Sequence, residues 1–185
     1  MRRRNWIFFT LLVAGALASI GKASAQSPEA ATGGEPSLSA GAVVSGNYLE
    51  YGKRWLGGAG AFVDANINWR LGIEGEADWA RYRQQSDTHA TTYLVGPRYQ
   101  FNAVGSGYRF RPYAKFLIGD GVFNFPFNYG YGNYFVIAPG AGIDFRMNER
   151  IRIRLADFEY QYWPSFTFGP VSNLSVSVGV KYRIR

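Results

Sequence analysis

The chain reads as all-β, an eight-stranded antiparallel up-and-down transmembrane β-barrel, and three observations predict that class. First, its final segment alternates almost without error. Leu174, Val176, Val178, Val180, Tyr182 and Ile184 fall on one side, and Ser175, Ser177, Gly179, Lys181 and Arg183 on the other. Period two is the geometry of a β-strand, whose successive side chains point to opposite faces. An apolar face opposed by a small or cationic one suits lipid outside and a wet interior. Second, the same signature recurs upstream, behind a secretory leader. Third, aromatic residues make up 17% of the chain and glycines number 23, a bias expected of barrels with interfacial girdles and tight turns.

The leader comprises a basic start at Arg2-Arg3-Arg4, an apolar run from Trp6 to Ile20, and a small-residue site, Ala23-Ser24-Ala25. These are the three parts of a signal peptide cleaved after Ala25. The apolar run is shorter than the ~20 residues a spanning helix needs. Residues 1–25 are therefore read as signal peptide, 26–36, Gln-Ser-Pro-Glu-Ala-Ala-Thr-Gly-Gly-Glu-Pro, as a flexible linker, and 37–185 as the barrel domain. Cleavage changes the charge argument. The whole chain carries +7, but four of its 20 basic residues and none of its 13 acidic ones lie in the leader. The remaining 16 against 13 give +3, which is weak support for nucleic-acid binding by an exported protein. With no cysteine, disulfides and thiolate metal sites are excluded.

Eight strands follow in order. The first, about Leu38–Asn47, puts Leu38, Ala40, Ala42 and Val44 on its apolar side. In the second, about Leu56–Asn68, Ala59, Ala61, Val63, Ala65 and Ile67 face out, while Asp64, Asn66 and Asn68 face in. The third starts at Leu71 and sets Leu71, Ile73, Ala77 and Trp79 against Glu74, Glu76 and Asp78. The fourth, about Thr91–Phe101, sets Tyr93, Val95, Pro97, Tyr99 and Phe101 against Arg98 and Gln100. The fifth, about Tyr108–Gly119, opposes Phe110, Pro112, Ala114, Phe116 and Ile118 to Arg109, Arg111, Tyr113 and Lys115. The sixth, about Tyr134–Met147, opposes Phe135, Ile137, Pro139, Ala141, Ile143 and Phe145 to Gly140, Gly142, Asp144 and Arg146. The seventh breaks phase: Ile151, Ile153 and Leu155 are odd-numbered, but Phe158, Tyr160 and Tyr162 are even. A one-residue bulge near Ala156 repairs it and places Arg152, Arg154, Asp157 and Glu159 inside. The eighth is the alternating segment already described. Pro97, Pro112 and Pro139 donate no ladder hydrogen bond, so each is expected to mark a local bulge or a missing bond.

Short turns (Asn68–Arg70, Asn102–Gly107, Asn148–Arg150) are expected to alternate with longer loops (Tyr48–Trp55, Tyr82–Ala90, Asp120–Asn133, Pro164–Ser172). That asymmetry is the transmembrane-barrel pattern and puts both termini in the periplasm.

The inner face carries the candidate site. Its expected acids are Asp64, Glu74, Glu76, Asp78, Asp144, Asp157 and Glu159, and its expected bases Arg98, Arg109, Arg111, Lys115, Arg146, Arg152, Arg154 and Lys181. An eight-stranded barrel is just wide enough for side chains to fill it or to hold one small ligand, and buried charges must be paired. The expectation is a salt-bridged, closed interior, with a narrow ion path as the alternative. Glu74 and Glu76 project from one strand about 6.8 Å apart, a glycosidase-like spacing. Among so many acids and bases such a pair arises by chance, so no catalytic residue, metal site or cofactor is assigned. Gly57-Gly-Ala-Gly60 and Gly140-Ala-Gly142 are followed by no helical pattern, so they are not phosphate loops. They make room for large inward side chains or ease strand curvature. The segment 120–133 alternates aromatics with Gly and Asn. Phe123 to Phe127 read as an outer aromatic girdle. Tyr129 and Tyr131, nearer the tip, suit a girdle and a contact platform for an extracellular ligand equally.

Four segments together resemble the outer-membrane protein β-barrel domain family, the OmpA/OmpX-like eight-stranded barrels, in the subset common in acidobacterial-type genomes. They are Tyr93-Leu-Val-Gly-Pro-Arg-Tyr99, Arg111-Pro-Tyr-Ala-Lys-Phe-Leu-Ile-Gly119, Ala138-Pro-Gly-Ala-Gly-Ile-Asp-Phe145 and Arg152-Ile-Arg-Leu-Ala-Asp-Phe-Glu-Tyr160. The resemblance implies an integral barrel in the outer membrane, in contact with its lipid, but no single activity. It also implies insertion by the barrel-assembly machinery through a final-strand signal, which Ser177, Gly179, Tyr182 and Ile184 fit, although the chain ends in Arg185 rather than Phe. The chain stops where the barrel does, so a peptidoglycan-binding domain and tethering to the cell wall are not expected.

The functional reading is a monomeric, non-enzymatic outer-membrane barrel with a structural or surface-interaction role. Two rivals come from other classes. One is a lipid A-modifying barrel enzyme, in which His89 with Ser86 or Asp87 imitates the Ser/His site of outer-membrane lipid A deacylases. The other is a soluble lipocalin-like barrel, which requires an apolar ligand-binding interior.

Overall fold

A computed structural model of the protein describes residues 36–50, 52–81, 88–125 and 130–184. The signal peptide and nearly all of the linker, together with Ser86, Asp87, Phe127, Tyr129 and Arg185, lie outside the described residues. Eight strands form: β1 (Ser37–Leu49), β2 (Arg54–Asn66), β3 (Leu71–Arg81), β4 (His89–Gln100), β5 (Phe110–Asn124), β6 (Tyr131–Arg146), β7 (Ile151–Trp163) and β8 (Val171–Arg183). Each pairs antiparallel with its neighbour, and β8 pairs with β1, so the sheet closes into a barrel. Closure removes the edge, leaving every strand with two partners.

The alternation places the faces as the sequence sets them. On β2, Leu56, Phe62 and Asp64 are buried while Trp55, Val63 and their odd-numbered neighbours are exposed. The phase break on β7 is a bulge. Ile143 pairs with Ala156 but Asp144 with Arg154, and the register against β8 shifts between Arg154 and Asp157. One extra residue there rotates Asp157, Glu159 and Gln161 onto the face that Arg152 and Arg154 already occupy.

The prolines behave differently from one another. Pairing is interrupted between β4 and β5 at residues 96–97, and between β6 and β7 at residues 138–139, with no change of register across either gap. Pro97 and Pro139 thus remove bonds without adding a bulge. Pro112 sits where the β4–β5 ladder ends, its carbonyl accepting from Phe101 N at 2.9 Å.

Two hairpin turns share one chemistry. Asn68 Oδ1 accepts from the backbone N–H of Arg70 and Leu71, at 2.8 and 2.7 Å, and Asn148 Oδ1 from Arg150 and Ile151, at 2.9 and 2.7 Å. These side-chain turns fix the register of β2–β3 and β6–β7. The expected contrast in loop length is not found. The connection after β1 is only residues 50–53, turned at Gly52 (φ +76°), and the longest connection, residues 101–109, lies at the end where β1 begins and β8 finishes, the terminal end of the barrel. Strands run further at the opposite end than the alternation alone indicated, because glycines and polar residues continue the ladder there. Residues 120–124 and 131–133, expected in a loop, are paired strand.

Candidate functional site

Inside the barrel, six carboxylates surround four cations at mid-height. Arg98, from β4, contacts Asp64, Asp144 (Nη2–Oδ2 2.6 Å) and Glu74 (3.5 Å). Lys181, from β8, reaches Asp64 at 2.7 Å and Asp144. Arg154, beside the bulge, contacts Glu74 and Asp157 at 2.8 and 2.9 Å. Lys115 Nζ touches four carboxylates, with Glu76 at 2.8, Asp157 at 2.9, and Glu74 and Glu159 both at 3.1 Å. Glu74, Glu76 and Asp157 hold oxygens within 4.8 Å of one another, a spacing that suits a cation. The Lys115 ammonium is the cation that contacts all three.

Aromatic rings pack into this network. The Arg98 guanidinium lies 3.8 Å from the centre of the Tyr113 ring and that of Arg154 3.6 Å from the Phe62 ring, contacts that favour cations over π faces. Tyr113 donates to Asp157 at 2.8 Å. Small residues make the room. A Cβ at Gly140 would stand 3.0 Å from Lys115 Cε, and one at Gly142 would collide with the Tyr113 ring. This is the space-making role the sequence suggests for Gly140 and Gly142.

The two ends of the lumen differ. Toward the end where β1 finishes and β8 begins it is filled by a buried apolar cluster that includes Leu49, Leu56, Leu94, Leu117, Phe123, Tyr134, Val136 and Trp163. Phe166, from the connection after β7, folds back into that mouth. Its ring lies 5.3 Å from Phe123 (81°) and 4.8 Å from Tyr134 (40°), while Tyr134 hydrogen-bonds Thr167. Between network and cluster, Asp78 accepts from Ser45 Oγ at 2.6 Å and Asn47 Nδ2 at 3.2 Å. At the terminal end the lumen opens into a shallow depression lined by Tyr108, Arg109, Arg111, Asp144, Arg146 and Arg152.

The outer surface is the reverse of a soluble protein's. Val44, Ile73, Phe116, Phe158, Val178 and Val180 are exposed around its middle. Aromatic pairs stand above and below them, Tyr48–Trp55 at one level and Tyr99–Phe101 and Phe110–Phe145 at the other. An apolar band between two aromatic girdles is the lipid-facing surface of a membrane barrel. Arg70 stacks on Trp69 at 4.0 Å and donates to Tyr99 Oη at 3.3 Å, a cation reaching for the interface.

A family model described as "outer membrane protein beta-barrel domain" matches residues 9–183. The chain belongs to that family. Solved barrels share its fold. Neisserial surface protein A aligns with a TM-score of 0.61 at 13% identity, over 80% of this chain and 96% of that one. Ail, the attachment invasion locus protein of Yersinia pestis, aligns at 0.52 and 22%, over 82% and 99%. Outer membrane protein OprG from Pseudomonas aeruginosa aligns at 0.53 and 12%, over 83% and 98%. No curated protein matches the chain. This outer-membrane barrel therefore resides in the outer membrane, its apolar band against lipid.

As a member of the family, the barrel separates the charged residues the sequence nominates into three groups. Asp64, Glu74, Glu76, Arg98, Lys115, Asp144, Arg154, Asp157, Glu159 and Lys181 meet in one network. Asp78 is buried apart from it among neutral donors, and Arg111 and Arg152 stand half-buried at the terminal mouth. Of the final-strand residues, Ser177 and Gly179 lie on the inner side and Tyr182 and Ile184 outside. Three expectations are corrected, the first being Arg109, which stands exposed in the connection before β5 and not on the inner face of that strand. Phe123 is 2% exposed and inside the mouth, not in the girdle, because β5 continues inward-facing through residue 123. His89 is the first residue of β4, paired with Arg81 and Asn124, not part of a loop. The apolar cluster was missed altogether, although Leu56, Leu94, Leu117, Val136 and Trp163 each continue the parity of the inner face. The soluble, lipocalin-like alternative is displaced by family membership and by the exposed apolar band.

Proposed function

We propose that this protein is a closed, monomeric, non-enzymatic barrel that stiffens the outer membrane or meets an extracellular partner through its loop end. The observation that carries the reading is the double closure of the lumen, by the ion-pair network at mid-height and by the aromatic cluster around Phe166 above it. An eight-stranded barrel filled by side chains leaves no continuous water path. The start of β1 and the end of β8 lie at one end, as an even strand number requires, and we assign that end to the periplasm. The opposite end then carries Tyr131 and Phe168, both largely exposed, as contact area for a partner. Ser177, Gly179, Tyr182 and Ile184 serve as the signal read by the barrel-assembly machinery.

Purified barrel in planar bilayers tests the closure. The reading expects no discrete conductance steps, and steps that persist after repurification would overturn it. Lipid A from cells expressing the wild type and His89→Ala tests the absence of catalysis. Identical acyl patterns, matching those of cells without the gene, are expected. An acyl change that needs His89 would instead establish the enzyme.

A further inference from the structure

We propose that the arginine-lined mouth at the terminal end binds a phosphate-type oxyanion. Arg146 and Arg152 are direct cross-strand partners on the inner face of β6 and β7. Arg152 also opposes Lys181 on β8, and Arg111 opposes Asp144. The exposed connection before β5 adds Arg109, whose carbonyl accepts from Arg146 N at 2.9 Å. These four guanidiniums, with Tyr108, line one depression.

Like charges directly opposite on one face of a ladder destabilise the pair. Here Arg152 and Arg111 are half-buried in the barrel mouth and Arg146 and Arg109 stand exposed at its rim. Asp144 is the carboxylate that faces them among the described residues, as the cross-strand partner of Arg111. Among the described residues Arg109, Arg111, Arg146 and Arg152 make no ion pair. Arg111 donates only to the neutral Gln100 Oε1, at 3.3 Å. The one carboxylate in the depression, Asp144, is engaged from below by Arg98 and Lys181.

The distribution is therefore polar along the axis. Carboxylates exceed cations at mid-height, and at the mouth the arginines make no ion pair among the described residues. Guanidinium forks match tetrahedral oxyanions through paired, charge-assisted hydrogen bonds, and four forks suit a group with more than one negative charge. Two sources offer this chemistry, a soluble phosphate or phosphoester and the headgroup of an anionic lipid at the rim.

Arginine side-chain NMR of the barrel, refolded in zwitterionic micelles, tests the site. Inorganic phosphate is titrated against chloride at constant ionic strength. Saturable shifts of the Arg111 and Arg152 Nε–H signals are expected. Arg152→Gln and Arg146→Gln should each weaken binding by roughly tenfold, the worth of one charge-assisted bond. Arg70→Gln, which removes a charge at the same end but outside the depression, should leave affinity unchanged. If either inner variant fails to fold, Arg109→Gln, from the exposed connection, replaces it. The same signals are then followed in nanodiscs of phosphatidylcholine with and without phosphatidylglycerol. Shifts produced by phosphatidylglycerol alone support the site and assign it to a lipid headgroup, whereas shifts that need added phosphate support a soluble ligand. A linear response shared with Arg70 and unaltered in Arg152→Gln would overturn the proposal.

Discussion

Replacing Lys115 with Met isolates the weakest point of the interior network. The ammonium is in contact with four carboxylates, but they do not depend on it equally. Glu74 and Asp157 keep Arg154, at 2.8 and 2.9 Å. Glu76 and Glu159 have no other cation among the described residues. Met preserves the length and most of the volume of the side chain, so the change removes charge and leaves packing nearly intact. Leaving a buried ion without its partner costs about 3–5 kcal/mol, and two such carboxylates place this variant at the upper end of that range. Lys181→Met is the matched control. Both carboxylates it touches, Asp64 and Asp144, retain Arg98, so its cost should be smaller by roughly 1–2 kcal/mol on the same scale. Adding Glu76→Gln to Lys115→Met should restore stability by about 1–3 kcal/mol, the size of coupling between contacting residues. The assay is reversible urea unfolding of vesicle-inserted barrel, followed by tryptophan fluorescence. Gel migration before and after boiling checks that each variant has folded. A Lys115→Met barrel within about 0.5 kcal/mol of wild type, or one less affected than Lys181→Met, would refute the account of the network.

Four further substitutions separate the layers of the molecule. Phe166→Ala should cost about 3–4 kcal/mol in the same unfolding assay, as expected for a buried ring, and a change near zero would mean the residue does not seal the mouth. Gly142→Ala places a methyl group against the Tyr113 ring and should destabilise by about 1–3 kcal/mol through overpacking. Gly57→Ala meets nothing within 4 Å and should be neutral, so equal effects at the two sites would contradict the space argument. Val178→Arg, on the lipid face, should cost about 2–4 kcal/mol near the bilayer midplane, and unchanged stability there would show that the faces are misassigned.

Much of this architecture was legible in the chain because side-chain direction along a strand is a local property. Leu174 to Ile184 alternate regardless of what β8 pairs with, and the parity change between Leu155 and Phe158 announces the bulge that the β7 registers contain. The turns at Asn68 and Asn148 were legible for the same reason, since their chemistry is confined to four residues. The strand ends toward Phe123 and Tyr131 were not. There, Gly and Asn weaken the local preference, and the partner strand extends the ladder. The apolar cluster was hidden for another reason. Leu56, Leu94, Leu117 and Trp163 share their face with charges, and a mixed face seen one strand at a time looks like noise around a polar rule.

By itself, the sequence determined that this is a membrane barrel, which face of each strand meets lipid, and that many charges point inward. Only the tertiary structure decided which of those charges meet. Partnership across a lumen depends on the registers of all eight strands together, and no single strand carries that information. Registers set far apart in the chain bring Lys115 to Glu76 and Glu159, and leave Arg146 facing Arg152 with no ion pair among the described residues. Inward pointing is therefore written in the alternation, but compensation of charge is settled by closure of the sheet.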